Sequence, residues 1–169
     1  MADPAGKADK ADKYKADKAD NDKEESCEDA STYTRLREGQ HFDRKSARLR
    51  PDGLARHIIA FANDGGGTVA VGIEDDGSIT GFRRQGAYPV EDFERIPVEL
   101  CDPRPTVGLR RLPCRNVDGD DDIILLVQVR PFAGGVVRMR SNGDVYLRES
   151  DSSVKLDDEG TAKLDRTTR

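Results

Sequence analysis

The chain has 169 residues, of which 36% are charged, 35% hydrophobic and 5% aromatic, and its formal net charge is −5. This length accommodates one modest domain with a single core, and no apolar run approaches the roughly 20 residues that a membrane span requires. Charges begin at Asp3, which argues against a secretory signal, and the three cysteines contain no C-x-x-C pair. We therefore expect a cytoplasmic protein without a membrane partner, a disulfide scaffold or a zinc ribbon.

Residues 1–30 form a charged segment that is dominated by a Lys-Ala-Asp repeat. They contain six Lys and ten Asp or Glu, and most of their apolar residues are Ala. A three-residue period drifts against the 3.6 residues of a helical turn, so no apolar face persists to offset the entropy of ordering. We predict a disordered charged tail over residues 1–30. It either keeps the chain solvated or acts as an acidic arm that competes with nucleic acid for a basic surface.

The first predicted elements are a strand, a helix and a second strand. Alternating polarity over residues 41–45 predicts a short strand, and apolar residues recur at helical spacing over residues 54–63. Three glycines at 65–67 end this helix, and the β-branched run over residues 68–73 predicts a buried central strand.

The remaining elements complete one α+β domain over residues 31–156. We predict a return strand at 78–82, a helix at 89–100 that Pro97 kinks or splits, strands at 107–112 and 123–129, and a closing hairpin of 136–140 with 144–148. Together these elements predict a mixed, mostly antiparallel sheet of about six strands with two helices. A polar C-terminal tail follows over residues 157–169.

The glycine run at 65–67 has two interpretations. Glycines give a turn positive φ angles and allow close backbone approach, and they also build loops that bind phosphate. A P-loop requires G-x-x-x-x-G-K-[ST], but no Lys follows these glycines, and they come after a helix instead of preceding one. A structural turn is therefore the preferred interpretation.

The most specific motifs surround this turn. The helix end reads IAFANDGGGT over residues 59–68, the strand and turn read VGIEDDG over residues 71–77, and the return reads ITGF over residues 79–82. These segments resemble the Schlafen/AlbA-like domain, a family associated with nucleic-acid binding. The resemblance extends to flanking residues, which are Glu38, Phe42, Asp43, Lys45, Ser46, Asp102, Pro103 and the segment VYLR at 145–148. It covers about residues 37–150 and implies a domain that binds DNA or RNA.

The resemblance also implies an alternative, a metal-dependent endoribonuclease. Glu38, Asp43 and Asp75 match three acidic positions that form such a site in eukaryotic Schlafen proteins, although Asp43 stands where that branch has Glu. Carboxylates are ligands that Mg²⁺ and Mn²⁺ prefer, and Lys45 would stabilise charge developing on the scissile phosphate. In this hypothesis Glu38, Asp43, Lys45 and Asp75 are catalytic, and the three carboxylates hold the metal. Turn formation alone also explains Asp75, because Asp precedes Gly in many turns.

The candidate phosphate contacts are basic residues near the glycine turn. Arginine binds phosphate through a planar guanidinium that donates two parallel hydrogen bonds, and residues 31–169 contain 19 Arg but only three Lys. We assign nucleic-acid binding to Arg44, Lys45, Arg48, Arg50, Arg83 and Arg84. Binding of this kind requires no cofactor, whereas the nuclease requires Mg²⁺ or Mn²⁺. The third hypothesis is a protein-interaction module, with a partner protein or a second copy of the chain at an exposed strand edge.

Overall fold

The computed structural model describes residues 29–168, which form one α+β domain. In chain order its elements are α1 (Ala30–Arg35), β1 (Phe42–Lys45), α2 (Pro51–Asn63), β2 (Gly67–Val71), α3 (Val90–Glu94), α4 (Ile96–Glu99), β3 (Cys101–Asp102), β4 (Val107–Arg115), β5 (Asp121–Val129), β6 (Arg138–Met139), β7 (Tyr146–Glu149), β8 (Ser152–Lys155) and α5 (Asp158–Thr167).

A four-stranded sheet in the order β1-β2-β5-β4 forms the centre of the domain. β1 runs parallel to β2, with Phe42 opposite Thr68, whereas β5 is antiparallel to both of its neighbours. The parallel pair requires a crossover connection, and α2 supplies it. Two further pairs, β3 with β6 and β7 with β8, lie outside this sheet.

Helix α2 covers one face of the sheet because its apolar residues recur along that side. Ile58, Ile59 and Phe61 are fully buried with Val69 and Val71 of β2. On the opposite face, the short helix α1 packs in a smaller cluster of apolar residues, whose members are Ala30, Tyr33, Phe42, Ala70, Ile73, Ile124 and Leu126. The sheet therefore has two covered faces, and successive residues of β1 point to different ones.

The turn after α2 is held by the protein's own atoms. Gly66 has φ +76°, and a Cβ there would lie 2.7 Å from the carbonyl oxygen of Val129. The buried side chain of Asn63 donates to the carbonyls of Val137 (2.8 Å) and Tyr146 (3.1 Å) and accepts from the Val137 backbone N–H (2.8 Å). This loop is filled by protein contacts, which supports the structural turn over a phosphate cradle.

Several predicted elements are present. The strand at 41–45 and the helix at 54–63 correspond to β1 and α2, and the strand at 68–73 corresponds to β2. The predicted helix at 89–100 is split into α3 and α4, with Pro97 in the first turn of α4. The α+β class is therefore confirmed.

The single sheet of about six strands is wrong. The predicted return strand at 78–82 forms only an isolated bridge between Ile73 and Ile79. The predicted hairpin of 136–140 with 144–148 does not form a ladder, because β6 pairs with β3 and β7 pairs with β8. Met139 and Tyr146 pack in the cluster on the α2 side, so their strands cover this helix instead of extending the sheet.

At each end of the described residues the structure places a helix. Residues 1–28 of the predicted tail lie outside the described residues, whereas Asp29 caps α1 by accepting from the Ser31 backbone N–H at 3.3 Å. Within the predicted polar tail at 157–169, α5 forms behind Asp157, which accepts from the Gly160 backbone N–H at 2.7 Å. No residue of α5 is buried. No helix in the described part of the chain is long and apolar enough to cross a membrane.

Candidate functional site

A groove with a cavity volume of about 590 Å³ lies between the beginning of α2 and the turn that joins β6 to β7. The lining residues come from two segments of the chain and are Arg48, Leu49, Arg50, Asp52, Gly53, Arg56, Met139, Ser141, Asn142 and Tyr146. We call this site the arginine groove. Its size falls within the range of small-ligand sites.

Three arginines and one aspartate give the arginine groove a net positive charge. Arg48 is half exposed with Nη2 3.8 Å from Glu74, and the more exposed Arg50 has Nε 3.2 Å from Asp52. Such exposed ion pairs contribute little, on the order of 0–1 kcal/mol, so an incoming phosphate competes with them easily. Arg56 is exposed and makes no ion pair within residues 29–168.

The beginning of α2 adds a further source of positive potential. Pro51 is the first helical residue, and the helix is 13 residues long. Pro51 has no N–H, and the N–H groups of Gly53 and Leu54 donate to the Arg50 carbonyl (2.9 and 3.3 Å), so this end contributes mainly the helix dipole, which favours an anion at the groove. The Asp52 carboxylate opposes part of this potential.

Two of the predicted phosphate contacts are engaged inside the fold. Arg44 is 7% exposed, contacts the Leu36 carbonyl and the Phe42 ring, and has Nε 3.7 Å from Glu38. Lys45 points to the opposite face of the sheet, where its Nζ lies 2.8 Å from Asp43. The structure therefore does not bring these two neighbours to a common surface.

Arg83 and Arg84 lie on a loop that packs beside the arginine groove. The Tyr88 backbone N–H donates to the carbonyl of Ala47 (2.9 Å), and a Cβ at Gly86 would lie 3.3 Å from Cδ of Arg48. Both arginines are exposed, and Arg84 has Nε 3.5 Å from Asp118. Of the six predicted contacts, Arg48 and Arg50 line the groove, whereas Arg83 lines a separate depression with Asp121 and Asp122.

The three predicted metal ligands have different environments. Glu38 accepts from the Arg44 backbone N–H at 3.2 Å, Asp43 faces α2, and Asp75 is exposed in the turn after β2. Over residues 29–168, no group of three or more His, Cys, Asp or Glu side chains is arranged to hold a metal ion. Asp43 is also surrounded by cations, so these residues do not fit a Mg²⁺ or Mn²⁺ site in this conformation.

Asp43 is the centre of a buried ionic network. Its side chain is 1% exposed, and its Oδ2 lies 2.8 Å from Nη1 of Arg148, whose side chain is 0% exposed. Arg148 also donates to the Gly39 carbonyl at 3.0 and 3.1 Å, and its guanidinium lies 4.8 Å from the centre of the Phe61 ring. These contacts satisfy both charges and fasten β7 to β1 and α2.

His57 of α2 borders the same network. Its Nδ1 lies 2.9 Å from the Ser153 hydroxyl and 3.4 Å from Oδ2 of Asp43. Burial lowers the pKa of His57 from 6.5 to about 4; Asp43 acts in the opposite direction, and the cations Lys45, Arg148 and Arg56 reinforce the decrease. The imidazole is therefore neutral at physiological pH.

The buried imidazole predicts loss of stability in acid. The pKa of His57 is lower in the folded state than in the unfolded state. Its contribution to the free energy of unfolding is therefore fully present above about pH 6.5 and is lost as the pH falls toward 4. Protonation of His57 lowers the free energy of unfolding by at most about 3 kcal/mol. Urea unfolding of the wild type and of His57→Gln at several pH values measures it, and we expect a flatter pH profile for the variant over this interval. Parallel profiles would contradict the assignment.

Sequence reasoning left three participants out of the candidate site. Arg56 was not predicted as a contact, although it stands four residues after Asp52, at the helical spacing that places both on the side of α2 that lines the groove. Arg148 belongs to the VYLR segment, and only its burial reveals its pairing with Asp43. His57 was not among the predicted site residues, because no sequence pattern places Ser153 beside it.

Comparison with known proteins adds family and structural relatives. The family model described as Schlafen, AlbA_2 matches residues 38–157. One similar solved structure is the solution NMR structure of an N-terminal domain from Nitrosomonas europaea, from a protein described as ATP-dependent DNA helicase RecG-related. The two share 18% sequence identity, the match covers 61% of this chain and 73% of that chain, and the TM-score is 0.43. No curated protein matches the sequence significantly.

Proposed function

Because this chain belongs to the Schlafen AlbA_2 family, we propose that it binds nucleic acid, DNA or RNA, through contacts between the arginine groove and backbone phosphates. The observation that carries the proposal is the convergence of Arg48, Arg50 and Arg56 on one groove at the beginning of α2. Guanidinium groups and helix N-termini are two of the recurrent phosphate-binding elements of proteins.

Two arginines outside the groove would extend the proposed binding surface. Arg83 and Arg84 stand on the adjacent loop, and the structure assigns Arg83 no ion pair among residues 29–168. A strand that crosses the groove toward this loop would meet up to five guanidiniums. Contacts of this number give micromolar to submillimolar binding with strong dependence on salt.

The test is fluorescence anisotropy with labelled DNA and RNA at about 50 and 200 mM KCl. If three to five phosphates are contacted, log K falls with log[salt] with a slope of roughly −2 to −4.5. The slope is the informative quantity, because the formal net charge of the chain is −5 and attraction of a polyanion must come from a local surface. Absence of salt-dependent binding to either nucleic acid would refute the proposal.

The endoribonuclease alternative receives no support from the geometry of Glu38, Asp43 and Asp75. An arm of the same experiment with RNA and Mn²⁺, examined on a denaturing gel, tests it directly. We expect the RNA to remain intact, because the Asp43 carboxylate is paired with Arg148 and Lys45 and is not available to bind a metal ion. Cleavage that chelator and Asp75→Ala both abolish would establish the nuclease instead.

A further inference from the structure

The two walls of the arginine groove differ in chemistry. One wall is the segment at the beginning of α2, which carries the three guanidiniums of Arg48, Arg50 and Arg56. The other comes from β6, the following turn and β7, and it carries no charged lining residue. The charged groups behind this wall, Asp144 and Lys155, pair with each other at 3.0 Å. A ligand that presents negative charge on one side and neutral surface on the other therefore fits the groove.

The uncharged wall combines an apolar floor with a polar rim. Met139 and Tyr146 are 6% and 8% exposed, so they form the floor, whereas Ser141 and Asn142 are exposed at the rim. Oδ1 of Asn142 accepts from the Asp144 backbone N–H at 2.9 Å. Because the Asp144 N–H requires an acceptor, Oδ1 is the amide atom that faces it. The Nδ2 group of Asn142 therefore points away from this hydrogen bond and can donate to another acceptor.

The two different walls distinguish a single strand of nucleic acid from a duplex. A duplex hides its bases between two phosphate backbones, and proteins read it by inserting a helix or a β-ribbon into a groove of the DNA. The site described here is concave and would place one backbone of a duplex against Met139 and Tyr146. A single strand exposes phosphates along one side and base faces and edges along the other, which matches the two walls.

We propose that the arginine groove receives a single, unpaired strand of nucleic acid, with phosphates on Arg48, Arg50 and Arg56 and a base against the wall formed by Met139, Asn142 and Tyr146. This inference rests on the proposed function and narrows it to a ligand class. The base contact is sequence-tolerant, because the wall provides one amide and one hydroxyl on an apolar floor. Asp52 lies on the arginine side and limits how many phosphates bind there.

The experiment compares matched probes by fluorescence anisotropy at about 50 mM KCl. The probes are a 12-nucleotide oligothymidine, the corresponding oligouridine and a 12-base-pair DNA duplex. We expect both single strands to bind at least tenfold more tightly than the duplex. Equal affinity, or tighter binding of the duplex, overturns the inference and leaves nucleic-acid binding intact. Failure of all three probes to show salt-dependent binding refutes the proposed function itself.

A variant of the uncharged wall supplies the second measurement. Asn142→Ala should weaken single-strand binding about three- to tenfold, the effect of one lost hydrogen bond, and leave the weak duplex binding unchanged. Asn142→Ser keeps a side-chain oxygen that can accept from the Asp144 N–H and removes the amide donor without adding a charge, so it separates base contact from turn formation. The matched control is Gln128→Ala on β5, outside the groove. Wild-type single-strand affinity in both Asn142 variants overturns the assignment of this wall.

Discussion

Replacing Arg48, Arg50 and Arg56 together by Ala is expected to weaken nucleic-acid binding roughly 100-fold at low salt. Each arginine that neutralises a phosphate releases counterions and contributes about 0.9 to the salt slope on duplex DNA and about 0.7 on a single strand. Removal of three such contacts should therefore reduce the slope by about 2 to 3. Anisotropy titrations of the wild type and the variant at several KCl concentrations measure both quantities.

Two further variants test whether the loss is specific to the arginine groove. Arg115→Ala removes an exposed arginine from β4, at the opposite edge of the sheet, and should leave affinity within about twofold of the wild type. Asp52→Asn should strengthen binding, because it releases Arg50 and removes a carboxylate from the phosphate path. Equal losses of affinity in Arg115→Ala and in the triple variant would show that binding depends on the net charge of the protein and not on the arginine groove.

Replacing Asp43 by Ala is expected to destabilise the fold by about 3–5 kcal/mol. The substitution leaves the guanidinium of Arg148 without its carboxylate in a site where the side chain is 0% exposed. An uncompensated buried charge is costly, whereas loss of an exposed ion pair costs little. Urea or thermal unfolding at pH 7 measures the change, and a marginally stable domain with this variant would be largely unfolded.

Paired substitutions separate the loss of a partner from the loss of a charge. Asp43→Leu combined with Arg148→Met removes both ions, so we expect the double variant to be more stable than Asp43→Ala. Arg95→Ala, which breaks exposed pairs with Asp92 and Glu99, serves as the control and should cost less than about 1 kcal/mol. A double variant less stable than Asp43→Ala would show that the hydrogen bonds of Arg148, and not its charge, dominate.

The ionic network and the arginine groove share structural elements. Arg148 is two residues from Tyr146 on β7, and His57 directly follows Arg56 on α2. The network therefore fixes the position of α2 relative to β7, which supply opposite sides of the groove. Destabilising Asp43 substitutions should also reduce nucleic-acid affinity indirectly, so binding data for such variants require a check that the protein is folded.

The elements that the sequence predicted best are those with strong local signals. The helical spacing of apolar residues before Asn63 and the glycines after it define α2 and its end, and the β-branched run defines β2. The kink at Pro97 follows from the missing N–H of proline. The helix α1 was not predicted because it has only six residues, and its N-cap at Asp29 lies where the charged segment was expected to continue.

Strand partners were predicted less well than strands. The turn at residues 75–77 forms, but its return contributes one bridge instead of a strand, because Gly81 and the residues after it turn toward Asp122. Similarly, residues 136–148 look like a hairpin locally, but β6 and β7 find other partners on the side of α2. Pairing depends on which surface is left uncovered, and this information is not local.

The amino-acid sequence by itself determined the family, the α+β class and the presence of basic residues near the glycine turn, because each follows from local motif, periodicity or residue type. Only the tertiary structure decided which of these basic residues reach a common surface. Alternation along β1 sends Arg44 and Lys45 to opposite faces of the sheet, where carboxylates engage them. The following turn of the chain brings Arg48, Arg50 and Arg56 to one groove, whose second wall comes from residues about 90 positions away. Long-range packing brings these two walls together, and neither the composition nor the spacing of residues in the sequence predicts that contact.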